Sequence, residues 1–210
     1  MRLPNSVHES GPWRIREIAS DIPLEDVWAL PAYGSAKDFQ ALLELMVASD
    51  PGEAESGATR FLWRLRDRLG RWLDLGRIST PSSGDSGGLP IPGREETSLA
   101  GRLPEDLRGT AADLEFASLP FEPLYRTDDE FAAEISNRTV YGVMHLGWAD
   151  QGNGRYQAQM AVYVKPRGAF GKAYMAAIKP FRHLIVYPAL MRQVERTWNA
   201  RGSRQGIGAQ

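Results

Sequence analysis

The stretch that decides the fold is residues 139–165, TVYGVMHLGWADQGNGRYQAQMAVYVK. Residues 139–149 and 155–165 have a two-residue period, and DQGNG at 150–154 between them is rich in the turn formers Asn and Gly. The pattern predicts a β-hairpin. One face would carry Val140, Met144, Leu146 and Trp148 opposite Ala158, Met160, Val162 and Val164, and the other Tyr141, His145, Gln157, Gln159 and Tyr163. We therefore expect an antiparallel sheet with one apolar face and one face toward solvent.

Two helices are predicted before this hairpin. Ser35 and Asp38 have the spacing of a capping box, and apolar residues follow at helical spacing until Asp50-Pro51-Gly52. Residues 59–75 form the second helix, because one apolar stripe runs through them while most of the arginines lie elsewhere. Gly76 suits the position just past its end.

A long C-terminal helix is predicted over residues 170–198. Its apolar inner face would hold Phe170, Tyr174, Ala177, Phe181, Leu184, Pro188 and Met191, with Lys172, Lys179, Arg182 and Gln193 roughly opposite. Pro180 and Pro188 each lack a backbone N–H, so we expect kinks or a break within this helix.

The domain organisation follows from composition. Residues 1–11 and 202–210 are polar and are expected to be disordered, whereas 12–201 is expected to form a single domain. Residues 77–101 gather Ser, Gly and Pro and predict a long flexible loop, which is a lid, an insertion or a linker.

Composition excludes several classes of function. The chain has 210 residues and no Cys, which rules out a disulfide scaffold, thiol catalysis and iron–sulfur ligation. Its N-terminus lacks an apolar signal segment, and its longest apolar run, 184–191, is far shorter than the roughly 20 residues of a membrane span. We therefore expect a cytoplasmic protein without a membrane span.

Charge is unevenly distributed along the chain. Although the net charge is −1, residues 165–210 contain nine basic side chains and one acidic one. Such a basic segment contacts nucleic acid or an anionic surface in some proteins, but it is more often a solvated helix face. We expect no nucleic-acid partner, and contact of the basic C-terminal helix with an anionic surface remains the minor alternative.

The order of elements is similar to the helix-grip fold of the START, polyketide cyclase and plant pathogenesis-related superfamily, also called SRPBCC. More closely, residues 120–148, 156–168 and 174–198 resemble the bacterial family known as domain of unknown function 2867, and IKPFRH at 178–183 with VYP at 186–188 is the most specific string. The resemblance implies an α+β fold in which a curved antiparallel sheet wraps the long last helix and encloses an apolar cavity. Two shorter helices would follow the first strand.

Few residues are candidates for chemistry. His145, Glu134 and Tyr174 are the catalytic candidates, and each has a simpler structural interpretation as a sheet-surface, loop or core residue. His183 is weaker, because it is expected on the outer side of the helix unless the kink at Pro180 turns it inward. Three histidines without ligand-like spacing predict no metal site, and the absence of nucleotide-binding glycine motifs predicts no cofactor.

Taken with the resemblance, the aromatic stripe favours binding of a small hydrophobic or aromatic molecule by a carrier, sensor or chaperone. The expected cavity lining is Met144, Trp148, Met160, Val162, Phe170, Tyr174, Phe181 and Leu184. The alternatives are a cyclase or dehydratase that uses the same cavity, and a protein-interaction module with a filled core. The sequence does not indicate the oligomeric state.

Overall fold

The computed structural model describes residues 1–48, 98–116, 119, 121–136 and 139–207. Six strands lie in it: β1 (Arg2–Leu3), β2 (Leu24–Gly34), β3 (Glu122–Arg126), β4 (Glu130–Ser136), β5 (Val140–Asp150) and β6 (Tyr156–Pro166). The α-helices are α1 (Asn5–Glu9), α2 (Ile15–Ile18), α3 (Phe39–Ala48), α4 (Gly168–Phe181) and α5 (Tyr187–Ile207). Short 3₁₀ turns cover Ala36–Asp38, Leu99–Arg102 and Glu105–Leu107, and a π-helical turn covers Arg182–Val186.

The six strands form one antiparallel sheet in the order β1-β2-β6-β5-β4-β3. With the long C-terminal helical segment and the shorter helices, this is the predicted α+β class. The predicted hairpin is confirmed as β5 and β6, whose register pairs Met144 with Val162 and Leu146 with Met160. Its turn uses positive φ angles at Gly152, Asn153 and Gly154, the residue types that tolerate them.

The predicted apolar face of the sheet is confirmed as one core. The strands contribute large side chains to this core, and α3 and α5 cover them. The strand residues are Trp28, Leu30, Phe131, Met144, Leu146, Trp148 and Met160, and the helix residues are Phe39, Leu42, Leu43, Tyr187, Val194 and Trp198.

The predicted cap of α3 also forms, since the Asp38 carboxylate accepts hydrogen bonds from the Ser35 N–H at 2.9 Å and the Ser35 hydroxyl at 2.8 Å.

The other face of the sheet is buried as well, so the prediction of a solvent-facing side is wrong. A second core of Trp13, Ile15, Ile18, Ile22, Leu99, Leu103 and Leu107 covers Tyr141, Val143, Ala161 and Tyr163. His145 lies on this face and is fully buried. Apolar residues distant in sequence cover the polar side chains here, and period-two alternation does not reveal such a cover.

Both expected disordered ends contain ordered structure. In residues 1–11, β1 pairs with β2, α1 follows, and the N-terminal ammonium donates to the Ala29 carbonyl oxygen at 2.9 Å. At the other end α5 continues to Ile207, six residues into the expected tail. Backbone pairing and helix continuation order these segments despite their polar composition.

The expected kink or break in the C-terminal helix takes the form of a π-helical turn, and residues 168–207 are helical throughout. α4 contains Pro180, and the π-helical turn at Arg182–Val186 separates it from α5. A proline removes one backbone donor and its ring crowds the preceding turn, so the regular hydrogen-bond ladder is interrupted nearby.

The face of α4 that meets the sheet differs from the predicted one. Phe170, Phe181 and Leu184 are exposed by 54%, 46% and 76%, so their expected inward orientation is wrong. Gly171 is buried instead, and Met175 and Ile178 are half-buried along the same side. A side chain at Gly171 would lie 2.2 Å from the Thr139 carbonyl oxygen, so this close approach sets the rotation of the helix.

The predicted helix at 59–75 and the predicted loop at 77–97 lie outside the described residues. The last residues of the predicted loop, 98–101, are described, and Leu99 is buried in the second core. No helix within the described residues combines the length and apolar character that a membrane crossing requires.

We predict that Trp148→Ala destabilises the fold by about 3–5 kcal/mol, because it empties a site that is 1% exposed. Phe181→Ala is the matched control and should cost less than about 1 kcal/mol, since the ring is half-exposed. Urea unfolding measures both values. Equal losses would contradict the assignment of the two aromatic rings to core and surface.

We also predict that Gly171→Ala destabilises by about 1–3 kcal/mol, because its Cβ meets a backbone oxygen already held by the Arg167 N–H at 2.7 Å. Gly202→Ala in α5 has open space around it and should stabilise by about 0.5–1 kcal/mol, the usual gain for a helical glycine. Thermal unfolding of the two variants checks the opposite signs. A stabilised Gly171→Ala protein would show that α4 does not approach Thr139 this closely.

Candidate functional site

Three buried carboxylates organise the polar interior of the described residues. Asp26 lies on the first core face, on β2, whereas Glu130 and Glu134 lie on β4. Their exposures are 0%, 3% and 6%, and each is surrounded by hydrogen-bond donors. Burying a carboxylate is costly unless donors replace its water, so each site needs its own account.

Asp26 holds the sheet and the C-terminal segment together. Arg182 Nη2 donates to its Oδ2 at 2.8 Å, and His183 Nε2 lies 3.0 Å from Oδ1 and 3.1 Å from Oδ2. Arg2 Nε adds a contact at 3.3 Å, and the Tyr187 hydroxyl lies 3.5 Å from Oδ2. We call these five residues the Asp26 cluster.

Aromatic rings enclose the Asp26 cluster. The Trp28 ring lies 4.4 Å from the Tyr187 ring, centroid to centroid, and meets the His183 ring edge-on at 5.9 Å. The Tyr187 hydroxyl also accepts from Arg182 Nη2 at 2.6 Å. Burial raises the pKa of Tyr187 above its ordinary value, so its hydroxyl stays protonated and able to donate.

The π-helical turn places these side chains. Arg182 and His183 begin the turn, and Tyr187 begins α5 directly after it. The wider turn changes the direction of successive side chains, which brings Arg182, His183 and Tyr187 to the same carboxylate. Such turns occur frequently at functional sites.

Two donors beside the Asp26 cluster, Arg182 Nη1 and Trp28 Nε1, are buried and have no hydrogen-bond partner in the part of the chain that the structure describes. The charge is also unequal, since two guanidinium groups face one carboxylate. The nearby ion pair of Lys179 with Glu25, at 3.3 Å, has no net charge and so does not compensate the second guanidinium. The site therefore has spare hydrogen-bond donors and spare positive charge.

Glu130 and His145 form a second polar group, under the N-terminal segment. His145 Nε2 lies 2.9 Å from Glu130 Oε2, and both Glu130 oxygens accept from the Arg14 N–H at 3.0 and 3.1 Å. The His8 ring lies 5.0 Å from the His145 ring, and its Nε2 is 2.9 Å from the Tyr163 hydroxyl. Complete burial and the Arg14 bond indicate that this group fastens the N-terminal segment to the sheet.

Glu134 joins the second core to residues 98–99. It accepts hydrogen bonds from the hydroxyls of Ser98 and Tyr141, and from the Leu99 N–H at 3.0 Å. Burial, together with Glu134, raises the pKa of Glu122 on the neighbouring strand. Since donors saturate Glu134 within the core, its geometry fits a structural role.

The structure separates the predicted cavity lining into two groups. Met144, Trp148 and Met160 lie buried in the first core, and Val162 is half-buried beside them. Phe170, Phe181 and Leu184 are exposed and are not brought together with that group. Tyr174 is half-buried on α4.

The catalytic candidates from sequence occupy less accessible places than expected. His145 and Glu134 are buried in the polar groups just described, so neither lies at the solvent surface or a loop end. Sequence reasoning missed Asp26, Trp28 and Arg182, and it placed His183 inward only if the kink turned it. A buried acid within an apolar strand is the signal that identifies Asp26.

Two further features lie apart from the Asp26 cluster. A shallow pocket of about 270 Å³ lies at the β5–β6 turn, lined by residues that include Tyr33, Asn153 and Tyr156. The pocket lies at the start of β6, whereas Val162, which pairs with Asp26, lies in the second half of that strand.

Among the residues described, no group of three or more His, Asp or Glu side chains is placed to hold a metal ion.

The model of one protein family matches residues 18–189, and its description is protein of unknown function (DUF2867). The chain belongs to this family. The matched range of DUF2867 contains Asp26, Trp28, Arg182, His183 and Tyr187, whereas His8 and Arg2 lie before it. No curated protein and no solved structure matches the chain significantly. In this DUF2867 protein, the Asp26 cluster is thus described by its geometry alone.

We predict a pH dependence of stability from His8. Burial, with a smaller contribution from His145, lowers the pKa of His8 from 6.5 to about 3. The folded protein therefore keeps His8 neutral where the unfolded chain protonates it, so stability falls as pH drops from about 6.5 toward 3. The contribution is roughly 1.4 kcal/mol per pH unit within that window.

The matched variant is His8→Gln, which retains a polar partner for Tyr163 but does not titrate. Its unfolding free energy should fall less steeply than that of the wild type between pH 6.5 and 4, as measured by urea denaturation. Parallel curves for the two proteins would show that His8 is not held neutral by burial.

Proposed function

We propose that this protein binds a small hydrophobic or aromatic molecule between the sheet and the C-terminal helical segment, at the Asp26 cluster. The observation that carries the proposal is the pair of unpartnered buried donors, Arg182 Nη1 and Trp28 Nε1. Buried donors are nearly always satisfied in proteins, and a site that leaves two unpaired beside aromatic rings is suited to a ligand.

The loose packing of α4 supports this location. Within its fourteen residues only Gly171 is buried, whereas α5 places Tyr187, Val194 and Trp198 in the first core. A helix so weakly held to the sheet needs little energy to move away from it. A ligand can therefore enter beneath α4 while α5 keeps the fold intact.

The chemistry of the surroundings fits an apolar molecule with one polar end. Val162 on the sheet and Tyr174, Met175 and Ile178 on α4 are half-buried and supply apolar or aromatic surface. The Asp26 cluster then supplies the few polar groups that orient a ligand. This division is typical of small-molecule sites.

The resemblance to the helix-grip superfamily supports the same location. In that fold the curved sheet encloses an apolar cavity against the last helix, and carriers, sensors and chaperones of small molecules use it. The strings that carry the resemblance, IKPFRH and VYP, supply Arg182, His183 and Tyr187 of the Asp26 cluster.

A second candidate function is catalysis of the cyclase or dehydratase type. The favouring observation is the pairing of His183 with the buried Asp26, because a carboxylate that orients an imidazole is a common general-base arrangement. His183 retains 21% side-chain exposure and so stays within reach of a ligand. A compound converted by the wild type but only bound by His183→Gln would favour this candidate over a carrier.

We predict that thermal-shift screening of fatty acids, polyketide-like aromatics and isoprenoids finds a class that raises the melting temperature. A ligand at a hundred times its dissociation constant stabilises by about 2.7 kcal/mol. The shift should disappear in Tyr174→Trp, where added bulk fills the space beneath α4.

Tyr33→Trp is the matched control, because Tyr33 is exposed at the pocket of the β5–β6 turn. It should retain the full shift. Loss of the shift in Tyr33→Trp but not in Tyr174→Trp would place binding at the turn and contradict the proposal. Absence of any stabilising class would contradict it as well.

A further inference from the structure

The strongest unexplained feature of the Asp26 cluster is its excess of positive charge. Arg2 and Arg182 both contact the one carboxylate of Asp26, and the Arg182 side chain is 13% exposed. Its Nη2 serves both Asp26 and Tyr187, while Nη1 is buried without a partner. This guanidinium therefore has a nitrogen whose hydrogen-bond donors are unused.

We propose, on the basis of the proposed function, that the ligand carries a carboxylate and that Arg182 Nη1 binds it. A carboxylate supplies both missing components, an acceptor for the free N–H and the negative charge that balances the second guanidinium. Hydrogen bonds from a guanidinium to a carboxylate are among the stronger ones in proteins, because both groups are charged.

A neutral polar ligand meets only half of this requirement. An amide or alcohol oxygen accepts the Nη1 hydrogen bond, but it does not balance the second positive charge. The guanidinium is charged in both complexes, but only the carboxylate adds an ion pair to the hydrogen bond, so the difference appears in affinity. Trp28 Nε1 is a second buried donor, without charge, on the same face of the sheet.

No other acid described near the cluster takes this role. Glu25 is the neighbouring carboxylate on β2, and it pairs with Lys179 at 3.3 Å. Tyr187 is neutral, since burial raises its pKa. Within the described residues Arg182 therefore pairs with no carboxylate other than Asp26, and Asp26 also contacts Arg2 and His183.

The test compares matched ligands that differ only in charge. Dodecanoate is compared with dodecanamide, and naphthalene-2-carboxylate with naphthalene-2-carboxamide, by isothermal titration calorimetry on the full chain. The carboxylate of at least one pair should bind about tenfold or more tightly than its amide, a difference of about 1.4 kcal/mol. Acetate, which lacks the apolar body, should bind at least a hundredfold more weakly than that carboxylate.

Variants assign the preference to this site. Arg182→Gln should reduce the tenfold preference to about twofold or less, and Arg155→Gln, an exposed arginine at the β5–β6 turn, should leave it unchanged. Arg2→Gln covers the case in which Arg182→Gln does not fold, because Arg2 is half-exposed and its loss also removes the excess charge. It should lower the preference several-fold.

The outcomes separate the two proposals. Equal affinity for acid and amide overturns the carboxylate inference and leaves the proposed binding function intact. A preference that survives Arg182→Gln or Arg2→Gln and disappears in Arg155→Gln also overturns it, because the anion then binds elsewhere. Failure of all four compounds to bind overturns the carboxylate inference, and the thermal-shift screen, which also covers isoprenoids, decides the binding function.

Discussion

The pairing of β2 with β6 is the constraint on which the rest of the structure depends, because it inserts the N-terminal quarter of the chain next to the central hairpin. The register places Asp26 opposite Val162 and Trp28 opposite Met160. Asp26 and Trp28 thereby lie on the core face, beneath the junction of α4 and α5. Without this pairing, Arg182 and His183 would have no buried acid to contact.

Burial of both sheet faces explains where the polar side chains go. The first core takes the large apolar residues of β5 and β6, and the second receives His145 and Tyr163. Glu130 and His8 each supply one partner at hydrogen-bond distance, whereas His8 Nδ1, His145 Nδ1 and Trp13 Nε1 are buried without a partner among the described residues. The hydrogen bonds that do form fix the position of residues 1–22 on the sheet.

The Asp26 cluster has a different energetic character. Buried ion pairs often contribute little net stability, because desolvation offsets much of their attraction. Here the desolvation is compounded by an unequal number of charges and by unpartnered donors. α4 beside it is held by few buried side chains. The Asp26 cluster is therefore costly for the fold and lies beside a helix with one buried residue, and this combination is the basis of our binding proposal.

Local sequence rules determined the elements whose causes lie within a few residues. The period of two in β5 and β6 predicted the hairpin and its apolar face. Ser35 and Asp38 predicted the start of the helical segment that leads into α3, and Pro180 and Pro188, which flank the π-helical turn, predicted an irregularity in the last helix. Each depends on backbone geometry or on side chains within one or two turns, so the pattern alone suffices.

Only the tertiary structure decided which faces those elements bury. The rotation of α4 follows from the contact of Gly171 with Thr139, and the burial of His145 follows from a cover that begins at residue 8. The candidate site joins Asp26 to His183 across 157 positions of sequence. Periodicity reports that a residue can be buried, but not which distant segment buries it, because that depends on how the strands pair.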